Sequence, residues 1–198
     1  MGRILKVSIR QLAEEAGNVG SVVSYRPVGA KVKELLDKIA KEQLHMLDMM
    51  ELDFANVDNT EPSFIDSAIV MFKMDTIAKK NNIFYLSNLN SYVQYAVENC
   101  ISWYLTKKNE SHPLLWRTND DLQVIGHLEN KIAELFNMIK QEDVTARRLA
   151  ELEKINVNNA STRLKKLYDL KLVLRREIME DGARQQLYYL PKLLTSEY

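Results

Sequence analysis

The chain contains little of what covalent catalysis, metal binding or nucleotide binding requires. Its 198 residues include one cysteine, six glycines and four prolines. The single cysteine, Cys100, excludes an internal disulfide and argues against a thiolate metal site, and its apolar helical surroundings predict a buried side chain. With so few glycines, the sequence has no glycine-rich loop of the kinds that hold phosphates. These shortages argue against a nucleotide-binding enzyme.

Long apolar segments are also missing from the sequence. No run approaches the roughly 18 apolar residues of a membrane-spanning helix, and no signal-peptide core follows the first residues. The composition, 46% hydrophobic and 27% charged, is ordinary for a globular protein, and basic and acidic residues are equal at 27 each. We therefore expect a cytoplasmic protein of one or two domains that does not enter a membrane.

No pattern of histidines or carboxylates completes a reactive site. The three histidines lie far apart, without a cysteine or carboxylate at ligand spacing: His45, His112 and His127. Four carboxylates are close enough in sequence to gather at the end of a strand: Asp53, Asp58, Glu61 and Asp66. Because no nucleophile elbow or acid/base motif accompanies them, we predict a protein that is not an enzyme and holds neither a metal nor a cofactor.

The clearest pattern in the chain lies between residues 144 and 190. Thr145 can cap a helix, and the apolar residues of this helix share one face: Leu149, Ala150 and Leu152. A short polar turn over residues 153–157 follows, in which Ile155 and Val157 are expected to fill the angle between two helices. The second helix is predicted to begin near Asn158 or Asn159.

A basic hairpin follows the second helix. The apolar residues of that helix recur at helical spacing, at Ala160, Leu164, Leu167 and Leu170. LVLRREI then alternates apolar with basic residues, EDGA supplies a turn through Asp181 and Gly182, and RQQLYYL returns as a second strand. The order helix, turn, helix and hairpin is the one that a winged helix-turn-helix requires.

The segments TARRLAE, NNASTRLKKLYDLKLVLR and GARQQLYYL resemble the winged helix-turn-helix domains of bacterial transcription regulators, most closely the multiple-antibiotic-resistance regulator type. The resemblance covers about a third of the chain. It implies binding to duplex DNA, with residues 160–170 as the recognition helix in the major groove and the hairpin as a wing near phosphates or the minor groove.

Two sets of candidate DNA contacts follow from this resemblance. Those near the start of the recognition helix could reach bases: Asn158, Asn159, Ser161, Thr162 and Lys165. The others would neutralise backbone charge: Arg163, Lys166, Arg175, Arg176 and Arg184. Residues 144–192 carry 11 basic and 6 acidic side chains, a positive excess typical of a DNA footprint. The open alternatives are a protein-interaction module and a charged helix face that is only solvated.

The preceding part of the chain alternates strand and helix patterns. Strands are expected at GSVVSYR, MMELDFANV and NIFYLSNL, and helices over residues 29–44, from Pro62 onward and over residues 91–105. This order predicts crossover connections and an α/β fold, a sheet flanked by helices. The last of these helices carries aromatic residues that we expect in the core: Tyr92, Tyr95, Trp103 and Tyr104.

A second resemblance rests on MELDFANVDNTEPSFIDSAI and on the preceding YRPVGAKVKELL. They are similar to the strand, loop and helix start of STAS-type domains, particularly the bacterial STAS-like domains of unknown function. In the anti-sigma-factor antagonists of that class, a serine at this helix start is phosphorylated and switches partner binding, and Ser63 occupies the matching place. A helix N-terminus favours an added anion, although Thr60 and Ser63 are also ordinary helix-start residues.

The sequence thus predicts three segments: residues 1–110 as a STAS-like α/β domain, 111–126 as a linker or hairpin around TNDD, and 127–198 as a winged helix-turn-helix domain. The helix in HLENKIAELFNMIKQ should cover the back of the two DNA-binding helices. We expect a bacterial or phage DNA-binding regulator whose first domain senses a signal or binds a regulatory protein, acting as a homodimer by analogy. The alternative is a non-enzymatic adaptor of the anti-sigma-factor-antagonist type, switched at Ser63.

Overall fold

A computed structural model describes residues 2–118, 121–180 and 182–191. The chain divides into two compact units, residues 1–127 and 128–198. None of the helices in the described ranges combines the length and apolarity that crossing a membrane would need.

The first unit is built on a five-stranded sheet with strand order β1-β3-β5-β6-β7. Its strands are β1 (Ile4–Ser8), β3 (Met49–Asp53), β5 (Ile83–Ser87), β6 (Leu114–Arg117) and β7 (Leu122–Ile125). The first four run parallel, and β7 pairs antiparallel with β6. Two short strands, β2 (Val22–Val23) and β4 (Asn59–Thr60), form a separate parallel pair. The mixed content confirms the α/β fold class.

Helices connect the parallel strands. They are α1 (Ile9–Glu15), α2 (Arg26–Glu42), α3 (Pro62–Ile65), α4 (Met71–Asp75) and α5 (Ser91–Trp103), and a π-helical segment, Asp66–Val70, joins α3 to α4. Alternate strand residues, including Leu52 and Leu86, share one core with helix residues such as Leu36 and Val97. One face of the sheet therefore packs against the helices, and the intervening strand residues belong to the opposite face.

Two parts of the first unit differ from the sequence prediction. Strand β1 and helix α1 were not predicted. They follow one another directly, because Ser8 ends the strand and its hydroxyl caps the helix by accepting the Gln11 N–H. The hairpin predicted within residues 111–126 is present as β6 and β7, but it belongs to the first unit, where it extends the sheet beside β5. The residues between these two strands include 119 and 120, which lie outside the described residues.

The second unit combines three helices with a three-stranded antiparallel sheet. The helices are α6 (Asn130–Gln141), α7 (Ala146–Glu153) and α8 (Val157–Asp169), and the strands are β8 (Val144–Thr145), β9 (Leu174–Glu180) and β10 (Ala183–Tyr189). In the sheet, β10 lies between β8 and β9. Helix α6 packs against α8 and β10, as expected for a helix behind the pair α7 and α8.

The local structure around α7 follows the prediction in part. Thr145 is buried, and its hydroxyl accepts the Arg148 N–H at 3.2 Å, which fixes the start of α7. Leu152 is 44% exposed and Val157 is 50% exposed, so neither fills the core as expected. Helix α8 also begins one or two residues earlier than predicted, at Val157, because Asn156 is its cap. The predicted turn residue Asp181 lies outside the described residues.

Candidate nucleic-acid interface

Helix α8 presents a polar stripe to solvent. The Asn156 carboxamide oxygen accepts the Asn159 N–H at 2.7 Å and orders the first turn. Four exposed side chains then follow at helical spacing: Asn158, Ser161, Thr162 and Lys165. Because all four point away from the buried Ala160, Leu164 and Leu167, they are accessible to a ligand along one side of the helix.

The turn between α7 and α8 is short. Lys154 adopts a left-handed conformation with φ of 54°, and the Ile155 N–H donates to the Ala150 carbonyl at 3.1 Å, which ends α7. The half-exposed Val157 opens α8 next to Asn158. The sequence prediction assigned Val157 to the interior and so missed it as a contact. An exposed valine at this place could meet a thymine methyl group in the major groove.

Two cations of α8 are held by carboxylates at the surface. Lys165 Nζ lies 2.7 Å from Asp169 Oδ2, and Lys166 Nζ lies 2.6 Å from Glu129 Oε1. All four side chains are about half exposed or more. Exposed pairs of this kind are worth little in water, so a phosphate group could take the place of the carboxylate at low cost.

The hairpin of β9 and β10 carries three predicted contacts. Arg176 lies 4.0 Å from Asp143 and also over the Tyr189 ring, while Arg184 lies 3.8 Å from Glu177. Both arginines are more than half exposed. Arg175 stacks its guanidinium 4.0 Å from the centre of the Tyr168 ring, so it is partly committed to the end of α8.

Arg163 differs from its predicted role. Its guanidinium binds both oxygens of Glu153 at 2.5 and 3.1 Å and donates to the Lys131 carbonyl at 3.0 Å. The Arg163 side chain is only 14% exposed, and the ion pair lowers the pKa of Glu153 below its usual value. Arg163 therefore ties α8 to α7 and α6 rather than offering its charge to a DNA backbone.

The excess of basic over acidic side chains is smaller when it is counted over the whole second unit than over residues 144–192. Residues 128–198 contain 13 basic and 11 acidic side chains, because the segment before residue 144 adds acidic residues such as Glu129 and Asp143. Both of these carboxylates pair with a predicted DNA contact. The surface is thus mildly basic, with its cations partly neutralised by neighbouring carboxylates.

Ser63, the predicted phosphorylation site, is the second residue of α3. Its hydroxyl donates to Glu61 Oε2 at 3.3 Å and lines a cavity of about 200 Å³ together with Arg26 and Trp103. The Arg26 guanidinium lies 2.5 Å from Asp66. A phosphate on Ser63 would compete with Asp66 for Arg26 and would face the charge of Glu61.

Four aromatic residues of the helix predicted over residues 91–105 were expected in the core, and this prediction is wrong for three of them. Tyr92, Tyr95 and Trp103 are 68%, 67% and 48% exposed, whereas Tyr104 is buried. Burial raises the pKa of the nearby Cys100 thiol to about 12, and this side chain is buried as predicted. Large exposed aromatic residues on one helix form a surface of the kind that binds other proteins.

The four carboxylates considered for catalysis do not assemble into one site. They have separate hydrogen-bond donors: Asn88 for Asp53, Ser21 for Asp58, Ser63 for Glu61, and Tyr104 for Asp66. Within the described ranges, no three histidine, cysteine or carboxylate side chains are grouped as a metal site.

The chain matches no protein-family model, and neither a curated protein nor a solved structure is significantly similar to it. The geometry of the two units therefore carries the functional argument.

Proposed function

We propose that the protein is a non-enzymatic DNA-binding regulator whose second unit is a winged helix that reads duplex DNA. The observation that supports this proposal most directly is the exposed stripe on α8, Asn158, Ser161, Thr162 and Lys165, which follows a tight turn after α7. The antiparallel hairpin of β9 and β10 adds exposed arginines at the end of the same helix. Stripe and hairpin together match what a recognition helix and wing need.

The side chains divide naturally into two roles. Asn158 and Asn159 can each pair with the hydrogen-bonding edge of adenine, and Ser161 or Thr162 can contact a base or a phosphate. Lys165, Lys166 and the wing arginines would bind phosphates and set the position of the helix. On binding, Lys165, Lys166, Arg176 and Arg184 would each exchange a carboxylate partner for a phosphate. Each phosphate contact releases counterions from the DNA.

Selection of bound sequences from random duplex DNA tests the proposal directly. We expect a short enriched motif, and affinity for it that falls as salt rises. Lys165→Ala and Arg176→Ala should each weaken binding. Each should also make the dependence of affinity on salt less steep, by about the amount that one phosphate contact contributes. Asn158→Ala should weaken binding to the enriched motif more than binding to unrelated duplex, because it removes a base contact.

Lys131→Ala is the matched control. Lys131 is an exposed lysine of the same unit, paired with Glu134 on α6 rather than placed on the stripe. Its removal lowers the net charge as much as Lys165→Ala does, so equal losses from the two variants would indicate unspecific attraction. If low-salt selection enriches no sequence and the full-length protein binds no duplex, the regulator proposal is wrong.

A second candidate function is an interaction adaptor switched at Ser63, with the first unit acting as a STAS-like domain. Two observations favour it. Ser63 reaches a surface cavity beside Arg26, and exposed aromatic residues lie on α5, which packs against α3. A protein partner would then bury Tyr92, Tyr95 or Trp103, and phosphorylation would place a dianion at its edge.

The two functions give different results with one set of variants. An adaptor should bind its partner as wild type and as Ser63→Ala but lose it as Ser63→Asp, and Tyr95→Ala should weaken the same complex. Ser63→Asp should leave the DNA selection unchanged if only the regulator function exists. Mass spectrometry of the protein purified from its own cells would show whether Ser63 carries phosphate.

A further inference from the structure

The sheet face opposite the helices of the first unit carries polar residues across three adjacent strands. Lys6, Glu51 and Tyr85 occupy one row of paired positions, and Asp53 and Ser87 occupy the next row. The Glu51 and Asp53 side chains are only 15% and 10% exposed. Carboxylates that are nearly buried cost free energy unless their hydrogen bonds are satisfied.

The carboxylates of both rows, Glu51 and Asp53, have hydrogen-bond or ion-pair partners. Glu51 accepts from the Ser87 hydroxyl at 2.7 Å and from the Tyr85 hydroxyl at 2.9 Å, and Lys6 Nζ lies 3.3 Å away. Asp53 accepts from the Asn88 side chain at 2.6 Å and from Lys6 at 3.1 Å. These contacts hold the pKa of Asp53 below its usual value. Because these partners occupy the oxygens of Glu51 and Asp53, the two carboxylates have little capacity left to bind a further cation.

Arg117 ends β6 on the same face, in register with Ser87. Among the residues that the structure describes, no carboxylate forms an ion pair with its guanidinium, which lies beside the Tyr85 hydroxyl. This arginine differs from Arg3, Arg26 and Arg163, each of which is paired with an aspartate or glutamate. A partly buried guanidinium without a carboxylate is a ready site for an anion, because its fork binds two oxygens at once.

These groups surround an open cavity. It has a volume of about 470 Å³ and lies where the carboxyl ends of β3, β5 and β6 meet. Arg117 and Lys6 provide positive charge, and Thr118 and Asn88 provide polar groups. Trp116 also borders the cavity, although its side chain is in register with Leu86 and packs on the helix side of the sheet. The volume is in the range of small-molecule sites.

From this geometry we infer that the cavity binds a small organic anion whose carboxylate or phosphate group meets Arg117 and Lys6. Glu51 and Asp53 would act as positioning residues that hold Lys6 at the cavity. All residues that line the cavity belong to the first unit. Only its role as the signal input of a regulator rests on the proposed function.

Three probes with one ring and different head groups test the inference: benzoate, phenyl phosphate and the neutral benzamide. Trp103→Phe leaves Trp116 as the remaining tryptophan of the two in the chain, so its fluorescence reports on the cavity. We expect saturable quenching by at least one of the two anions and none by benzamide. Arg117→Met should weaken anion binding by about tenfold or more. The anion that binds more tightly identifies the natural head group.

Lys38→Met is the matched control, since Lys38 is an exposed cation on α2 that does not line the cavity. Circular dichroism should show the wild-type fold for Arg117→Met, and Arg117→Lys serves as a milder variant if it does not. Isothermal titration calorimetry measures the same binding independently of Trp116. The inference is overturned if no probe binds saturably at millimolar concentration by either method, if benzamide binds as well as the anions, or if the Arg117 variants bind like wild type. Because DNA is absent from this experiment, its failure would leave the regulator proposal untouched.

Discussion

Arg163 and Lys165 lie two positions apart on α8, yet their surroundings predict opposite effects of substitution. Arg163 is 14% exposed with three hydrogen bonds, whereas Lys165 is 62% exposed with one exposed partner. We expect Arg163→Met to reduce the free energy of unfolding by about 2 kcal/mol, because Glu153 would lose its counterion in a partly buried place. Lys165→Met should change it by less than about 0.5 kcal/mol. Urea unfolding followed by circular dichroism measures both.

The pH dependence of the free energy of unfolding tests the same ion pair through the titration of Glu153. Because Arg163 holds the pKa of Glu153 below its ordinary 4.5, the carboxylate stabilises the fold above that pH and loses this effect as the pH falls through the folded-state pKa. The difference in stability between wild type and Glu153→Gln should therefore be complete near neutral pH and shrink in acid. A difference that stays constant down to strongly acidic pH would contradict the role given to this pair.

At the scale of elements, local patterns predicted most helices but not their partners. The spacing of Ala160, Leu164 and Leu167 is enough to predict α8, since helical burial depends on neighbouring residues. Strand β8 has two residues and is defined only by its pairing with β10, which no local pattern contains. In the same way, the pairing of Lys166 with Glu129 joins residues far apart in sequence. The stripe could be predicted, and so could the pairing of Lys165 with Asp169 four residues later, but Glu129 as the partner of Lys166 could not.

Those carboxylates lead to a prediction about α8 as an element. Asp169 lies one turn after Lys165 and would stand near the phosphates that Lys165 binds. Asp169→Asn should therefore raise the affinity for duplex DNA by about two- to fivefold at low salt, because it releases the lysine and removes a like charge. Fluorescence anisotropy with a labelled duplex measures the change. Glu134→Gln on α6 changes the net charge equally and should have no comparable effect, so equal gains would refute the role of the stripe.

At the scale of the whole molecule, the two units could be predicted, but the place of one hairpin in its sheet and one site could not. The switch from strand–helix alternation to helix, turn, helix and hairpin locates the second unit near residue 127. The hairpin of β6 and β7 could be predicted from its local pattern, but its place in the sheet could not, because its partner, β5, is separated from it by a whole helix. The cavity at Arg117 depends on the register of four strands, and single-sequence periodicity does not specify register between distant strands.

The steepness of the salt dependence should reveal how many copies of the chain bind one DNA site. Five cations are placed for phosphate contacts: Lys165, Lys166, Arg175, Arg176 and Arg184. Each phosphate contact contributes about −0.9 to the slope of the logarithm of the binding constant against the logarithm of the salt concentration. One copy on a half-site should therefore give a slope of about −4.5, and a homodimer on an inverted repeat should give about −9. Half-sites would then lie about one helical turn apart, on one side of the duplex. Anisotropy titrations of a single half-site and of the inverted repeat, each over the same salt series, measure both slopes. Equal slopes on the two duplexes would show that the chain binds DNA as a monomer, and the expected twofold arrangement would then be wrong.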